Sequence, residues 1–400
     1  MRDQAKRLVS IDVLRAVAVL AVLARHLPFS LRLAPSGGAS GGAGVPAVSE
    51  AITQITHYGE FGVHLFLVTS GFCIHMSWAR TTDGRIAFAG FWKRRLRRLY
   101  PPYFAALILS ILGLYGLFGV LGGRSGAGML GYPDWSQFGI DLALLVFLAH
   151  NLNGAYTRIG NAPFWSLALE EQLYMLYFPM LHLRRRFGWT STLVVVAAVT
   201  LIWRSVGAML SPTPGFWFVL RPAHWFSWAL GALAVEAHLG RVTLPRALRS
   251  FSGFFVLLAV AIAVHPSHAV DLGVPGARVL DDLLFGCAFF VLINASGEWE
   301  RAGRLGDGAI VRGFAAIGLW SYSIYLTHDP VIAAMKQIGL RLNLGVPGVL
   351  VLRAVAAIAL GYVFYRLVER RFLNTSKSPS AVKTSVTPAA VPAIAVDRGA

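Results

Sequence analysis

The sequence is poor in charge. Asp, Glu, Lys and Arg together make up 14% of its 400 residues, against about 25% in soluble globular domains. That is too little to clothe a soluble protein of this length. Acids are the scarcest, 19 against 36 Lys and Arg. Only two cysteines occur, Cys73 and Cys287, each inside an apolar run and neither in a Cys-x-x-Cys pair, which excludes a disulfide scaffold. No Gly-x-x-x-x-Gly-Lys-[Ser/Thr] loop and no His-Glu-x-x-His pair is present. A phosphorylated cosubstrate would therefore be held by side chains, and no metal is expected.

Apolar residues are abundant, at 56%, and mean hydropathy is +0.60. Runs long enough for membrane helices fall near 8–28, 59–79, 101–121, 164–183, 190–210, 216–239, 250–266, 279–296, 313–335 and 346–368. A Gly/Ser/Pro/Ala linker occupies 36–49, and the tail 374–400 is rich in Ala, Pro, Ser and Thr, a composition that predicts disorder. The fold class expected is all-α: a polytopic transmembrane helical bundle of about ten spans over 1–373, followed by a disordered cytoplasmic tail. No small-residue cleavage site follows the first run, so that run reads as a retained span.

The net charge of +17 reads as topology and not as a nucleic-acid footprint, because the basic residues cluster between apolar runs. The N-terminal Arg2, Lys6 and Arg7, the run Lys93–Arg98, Arg184–Arg186, Arg241 to Arg249, Arg301 with Arg304, and Arg370–Arg371 all fall on one side if the spans alternate. The alternation holds only if 138–148 does not cross. That piece is shorter than the roughly 20 residues a spanning helix needs and is expected to be re-entrant or interfacial. Both termini are then cytoplasmic, in a bacterial inner membrane.

Ionisable residues inside spans are costly and tend to face a cavity or a partner. Arg15 and His26 stand 11 positions apart in the first run, which puts them within about 20° of one helix face and roughly 16 Å apart along it. On this run alone, a snorkelling arginine and a core histidine hydrogen-bonded to a neighbour are the favoured account. Five cations in the six residues Lys93–Arg98 suit lipid headgroups, or a phosphate site at a pore mouth. Trp165–Tyr174 carries Glu170 and Glu171 at the start of a span, as an interfacial belt or as a carboxylate set to orient a histidine. Ser321, Tyr325 and His328 share a face, as polar glue between helices or as a site.

Five segments together resemble the acyltransferase-3 family of integral membrane acyltransferases. They are Ser10–Arg15 leading to His26; Gly62–Phe66 with Ser70-Gly71-Phe72; Arg95–Pro101; Trp165–Tyr174; and Ser321–His328. The resemblance covers about 8–373. It implies O-acetyltransferase chemistry of the O-antigen or exopolysaccharide kind: an acyl group, acetyl being the commonest, passes from cytoplasmic acyl-CoA to a hydroxyl of an envelope glycan or lipid-linked sugar. It implies catalytic roles for His26, Arg15 and Glu170, and contacts to acyl-CoA by Arg95, Arg98, Ser70, Tyr325 and His328. His64 departs from the family, where many members carry Asp. Some relatives bear an appended hydrolase-like domain of the SGNH type, which the short tail gives no reason to expect here.

A neutral histidine would serve as general base toward the acceptor hydroxyl, or would carry the acyl group as an acyl-imidazole. Expected partners are acyl-CoA, the glycan acceptor and the bilayer, with no nucleic acid. The competing expectations are acylation of a small molecule such as a macrolide, a proton-coupled secondary transporter, and a scaffold or lipid-binding subunit.

Overall fold

The computed structural model describes residues 8–28, 58–80, 88–114, 132, 134–152, 163–210, 221–265 and 277–373. The linker 36–49 and the tail 374–400 lie outside the described residues. Among the described residues there are eleven helices and no strand. They are α1 (Val9–His26), α2 (Phe61–Ala79), α3 (Phe88–Leu114), α4 (Trp135–Val146), α5 (Phe164–Leu210), α6 (Trp225–His238), α7 (Phe251–Val264), α8 (Ala277–Arg301), α9 (Ala309–Leu319), α10 (Ser321–Arg341) and α11 (Val346–Leu367). An all-helical chain follows from the composition, since apolar runs facing lipid must satisfy every backbone N–H and C=O within the segment.

Four units are long and apolar enough to cross a membrane: Tyr58–Ala79, Phe164–Leu210, Val279–Arg301 and Val346–Leu367. Ala309–Leu319 with Ser321–Gly339, bent by 73°, would make a fifth. The remaining expected spans fall short for visible reasons. α1 carries Asp12, Arg15 and Arg25, α3 opens on its basic run, and α6 and α7 are 14 residues each. α5 has 47 residues but is broken at Gly188, with φ 78° and ψ 178°. A straight helix of that length would reach about 70 Å, more than twice a hydrocarbon core. The break follows Arg184–Arg186 directly. α4, with 12 residues, stays short of a span. Asp134 caps it by accepting from Gln137 N at 2.8 Å.

The basic run does not form a loop before Pro101. It belongs to α3, which continues through Pro101 and Pro102. Proline lacks a donor, so the two prolines leave the carbonyls of Arg97 and Arg98 without their usual helical partners. The helix survives because the fixed φ of proline is itself helical.

Contacts show which helix ends meet. Glu300, near the end of α8, accepts from Val9 N and Ser10 N, both at 2.9 Å, and from Ser10 Oγ at 2.6 Å. Arg301 donates to the His238 carbonyl at 2.9 Å, and Arg241 to the Ala79 carbonyl at 3.1 Å. The start of α1 and the ends of α2, α6 and α8 thus share one end of the bundle, together with much of the basic charge. At the opposite end Arg353 of α11 donates to the Leu27 carbonyl just past α1, and His265 meets Glu60 at 3.0 Å.

Between these ends the helices approach closely. A Cβ on Gly71 would lie 2.0 Å from the Trp228 carbonyl oxygen, and one on Gly231 2.0 Å from that of Val68. α2 and α6 therefore meet through glycines on both sides, the small-residue contact that lets membrane helices touch backbone to backbone. Gly71→Val is expected to abolish the monodisperse peak in detergent size-exclusion chromatography. Gly113→Ala, where a Cβ meets nothing within 4 Å, should leave it intact. Below this contact His75 is wholly buried. It bonds Tyr177 OH at 3.0 Å and Glu236 Oε1 at 2.7 Å, and Arg184 reaches the same Glu236 oxygen at 3.0 Å. The four side chains tie α2, α5 and α6 together.

Candidate active site

Six side chains from five helices wall a cavity of about 110 Å³: Arg15 of α1, Ser70 of α2, Arg95 and Arg98 of α3, Glu170 of α5 and Tyr322 of α10, with Cys73 and Tyr174 completing it. Arg95 and Arg98 are three positions apart on α3 and so share a face. The Arg95 guanidinium packs over the rings of Phe91 at 5.7 Å and Tyr174 at 5.9 Å. Its Nε is buried with no protein partner.

Glu170 is fixed in place. Its Oε1 accepts from Ser70 Oγ at 2.5 Å and from Tyr174 OH at 2.6 Å. The neighbouring Glu171 points elsewhere, into a wider apolar groove of about 590 Å³ beside Trp92, Tyr100 and Met175. Of the two adjacent acids, only Glu170 joins the arginines.

A narrower pocket continues from Ser70 and Glu170 and is lined by Val63, Phe66, Ser166, Tyr322 and Tyr325. The Tyr325 hydroxyl bonds Ser166 Oγ and donates to the Pro163 carbonyl at 2.8 Å. One turn further along α10 lies His328, its ring centroid 5.7 Å from that of Tyr325. His328 in turn meets His26, with centroids 5.1 Å apart and planes at 68°.

Both imidazoles are held by the same device. His26 Nδ1 lies 2.8 Å from the Val22 carbonyl, and His328 Nδ1 lies 2.9 Å from the Tyr325 carbonyl. A carbonyl only accepts, so each Nδ1 carries the proton when the ring is neutral, and each Nε2 keeps its lone pair. The Nε2 of His328 is buried with no protein partner. Two nitrogens able to accept a proton or attack a carbonyl carbon are thus presented side by side.

The eight residues singled out in the sequence divide into two groups. Arg15, Ser70, Arg95, Arg98 and Glu170 line the arginine cavity. His26 and His328 form the imidazole pair, and Tyr325 stands between the groups. Tyr174, Ser166 and Tyr322 lie in segments the sequence singled out but were given no role there, and the sequence offered no sign of Arg353. Arg353 is fully buried and secures the end of the helix that carries His26. His64 belongs to neither group; it lies near the start of α2 beside His224 and Asp282. Gly126–Gly131 and Gly38–Gly42 spell Gly-x-Gly-x-x-Gly and Gly-x-Ser-x-Gly, but both lie outside the described residues.

Two curated proteins are similar to this chain. The "Peptidoglycan O-acetyltransferase OatA" of Listeria monocytogenes is 28% identical over 189 residues, covering 44% of this chain and 24% of its own. The "Putative peptidoglycan O-acetyltransferase YrhL" of Bacillus subtilis is 25% identical over 383 residues, covering 90% of this chain and 54% of its own. The chain therefore spans about half or less of the relatives it matches. No solved structure matches it. Residues 8–366 match the acyltransferase-3 model, described as an acyltransferase domain, and that stretch contains all eight site residues and all eleven helices up to the last turn of α11: the chain belongs to the acyltransferase-3 family.

Proposed function

We propose that this chain is a membrane O-acetyltransferase, passing an acetyl group from cytoplasmic acetyl-CoA to a hydroxyl of an envelope glycan. One arrangement carries the reading. A cavity with three guanidiniums and one fixed carboxylate adjoins a pocket lined by Tyr325, and the Tyr325 ring packs on His328, which meets His26. The names of the two relatives favour a peptidoglycan sugar as the acceptor. The gathering of basic helix ends at one end of the bundle supports a cytoplasmic N-terminus and ten crossings, with α4 at the interface.

Arg95, Arg98 and Arg15 would bind the CoA phosphates, since guanidinium forks match phosphate oxygens two at a time. The buried Nε of Arg95 is a donor awaiting such a partner. Glu170 would hold Ser70 and Tyr174 in position along the wall. The pantetheine arm would thread the narrow pocket, bringing the thioester toward His26. A thioester is already activated, so positioning and a base suffice. Nε2 of His26 takes the proton of the acceptor hydroxyl as its oxygen attacks the thioester carbonyl. The tetrahedral intermediate collapses, the C–S bond breaks, and the CoA thiolate leaves and takes the proton from the imidazolium.

Cys73 allows CoA binding to be tested apart from turnover. It is exposed and lines the arginine cavity. Acetyl-CoA is expected to protect Cys73 from maleimide labelling, while Cys287 serves as internal control. Isolated membranes fed labelled acetyl-CoA should at the same time place label in glycan. Protection without label would point to a missing acceptor. No protection and no label would overturn the reading in favour of a transporter.

A further inference from the structure

The end of the bundle away from the N-terminus holds a second polar cluster that plays no part in the chemistry above. His64 of α2, His224 of the 3-10 turn Arg221–His224 and Asp282 of α8 converge there. One donor atom from each lies within 4.8 Å of the others. His224 Nδ1 stands 2.7 Å and His64 Nδ1 3.3 Å from the same Asp282 Oδ1. We propose that these three side chains bind a divalent transition-metal ion, with zinc the best match to the donor set.

The geometry fits. Four ligands placed tetrahedrally at about 2.0–2.1 Å from zinc stand roughly 3.3 Å from one another. The His64 separation matches this value and the His224 separation is about 0.6 Å shorter, so the ion would enter as the His224 imidazole moves back from the carboxylate. His64 Nδ1 is buried, and its contact to Asp282 Oδ1 is long and falls short of good hydrogen-bond geometry. A metal ion between the two would replace that long contact with a ligand bond to each.

The support around the cluster is also that of a metal site. Asp282 is wholly buried, and Ser227 Oγ, 2.9 Å from its Oδ2, leaves Oδ1 turned toward the imidazoles. Such outer contacts orient ligating carboxylates. Ser227 reaches Asp282 because Gly286 stands one turn along α8; a Cβ there would lie 2.3 Å from Ser227 Oγ. Arg204 and Asp281 flank the cluster and pair with each other at 3.9 Å, which offsets the arginine charge near the cation.

Three protein ligands leave a fourth position open, the pattern of catalytic and not structural zinc. Val63 and Ser166 line the narrow pocket. Their chain neighbours His64 and Trp165 both touch the His224 ring, at centroid distances of 5.8 and 6.4 Å.

The sequence conceals this site because 160 and 58 residues separate its ligands along the chain. No short spacing marks it.

The test reads metal content and does not need turnover, so it can fail while acetyl transfer stands. The full chain would be purified through a tag without histidine, stripped with chelator and loaded with Co²⁺. Wild type is expected to bind one equivalent, show the visible bands of low-coordinate Co²⁺, and lose them on adding Zn²⁺. Asp282→Asn and His224→Gln should remove the bands. Ser227→Ala, a milder change, should weaken binding by about tenfold. Wild type that takes up neither Co²⁺ nor Zn²⁺ above background would overturn the site. Binding equal to wild type in well-folded Asp282→Asn and His224→Gln would do the same.

Discussion

His26→Ala is expected to lower acetyl transfer by about 10²–10⁴-fold, the usual contribution of a positioned acid–base group. The protein should still insert and run as a single species, because His26 is only half-buried and its one recorded hydrogen bond goes to its own helix. The KM for acetyl-CoA should change little. The CoA phosphates would sit with Arg15, Arg95 and Arg98, and Arg15 lies roughly 16 Å down the helix from His26. His26→Gln is the sharper variant, since it keeps a polar side chain of similar reach but cannot take the proton. Initial rates in membranes at matched expression decide the matter. Transfer at the wild-type rate in either variant would remove His26 from the chemistry. A label that is acid-stable on the glycan but hydroxylamine-sensitive on the protein would instead show the acyl-imidazole route.

The second large effect is on binding. Arg95→Ala combined with Arg98→Ala is expected to raise the KM for acetyl-CoA by about 100-fold. Each change removes a charge-assisted hydrogen bond of about 1.5 kcal/mol to phosphate. At saturating donor, kcat should stay within a few-fold, since contacts made equally in ground and transition states do not alter it. Arg95→Lys should recover only part of the affinity. An ammonium keeps the charge but loses the fork, and the stacking of Arg95 between Phe91 and Tyr174 is lost with it. A fall in kcat with KM unchanged would instead place these arginines at the reacting atoms.

Much of the helical architecture was legible in the sequence, because a membrane leaves a long apolar run few alternatives. That Arg15 lines one cavity with Arg95 and Arg98 was not anticipated, since the sequence sets Arg15 with His26 and the basic run at the membrane surface. Contacts between distant segments were not legible. His26 meets His328 because α1 packs against α10, and no periodicity in either segment encodes that. Glu170 and Glu171 look alike in sequence; a helix turns adjacent residues about 100° apart, and only the first faces the arginines. The basic run, polar and set between apolar runs, reads in the sequence as the end of a loop, with the next span starting at Pro101. Proline forbids a donor, not the helical φ, and α3 passes through. The metal ligands were hidden for the same reason as the histidine pair.

The bond between Glu300 and the first turn of α1 bears on how the chain is built. Helix N-termini leave four amide donors without partners, and two of those at the start of α1 are satisfied only by a residue 290 and 291 positions later. The start of α1 must therefore stay open until α8 has been made. Nascent chains stalled before residue 300 should expose that end to protease. Chains stalled well beyond it should not, so α1 would be locked only once α8 is in place.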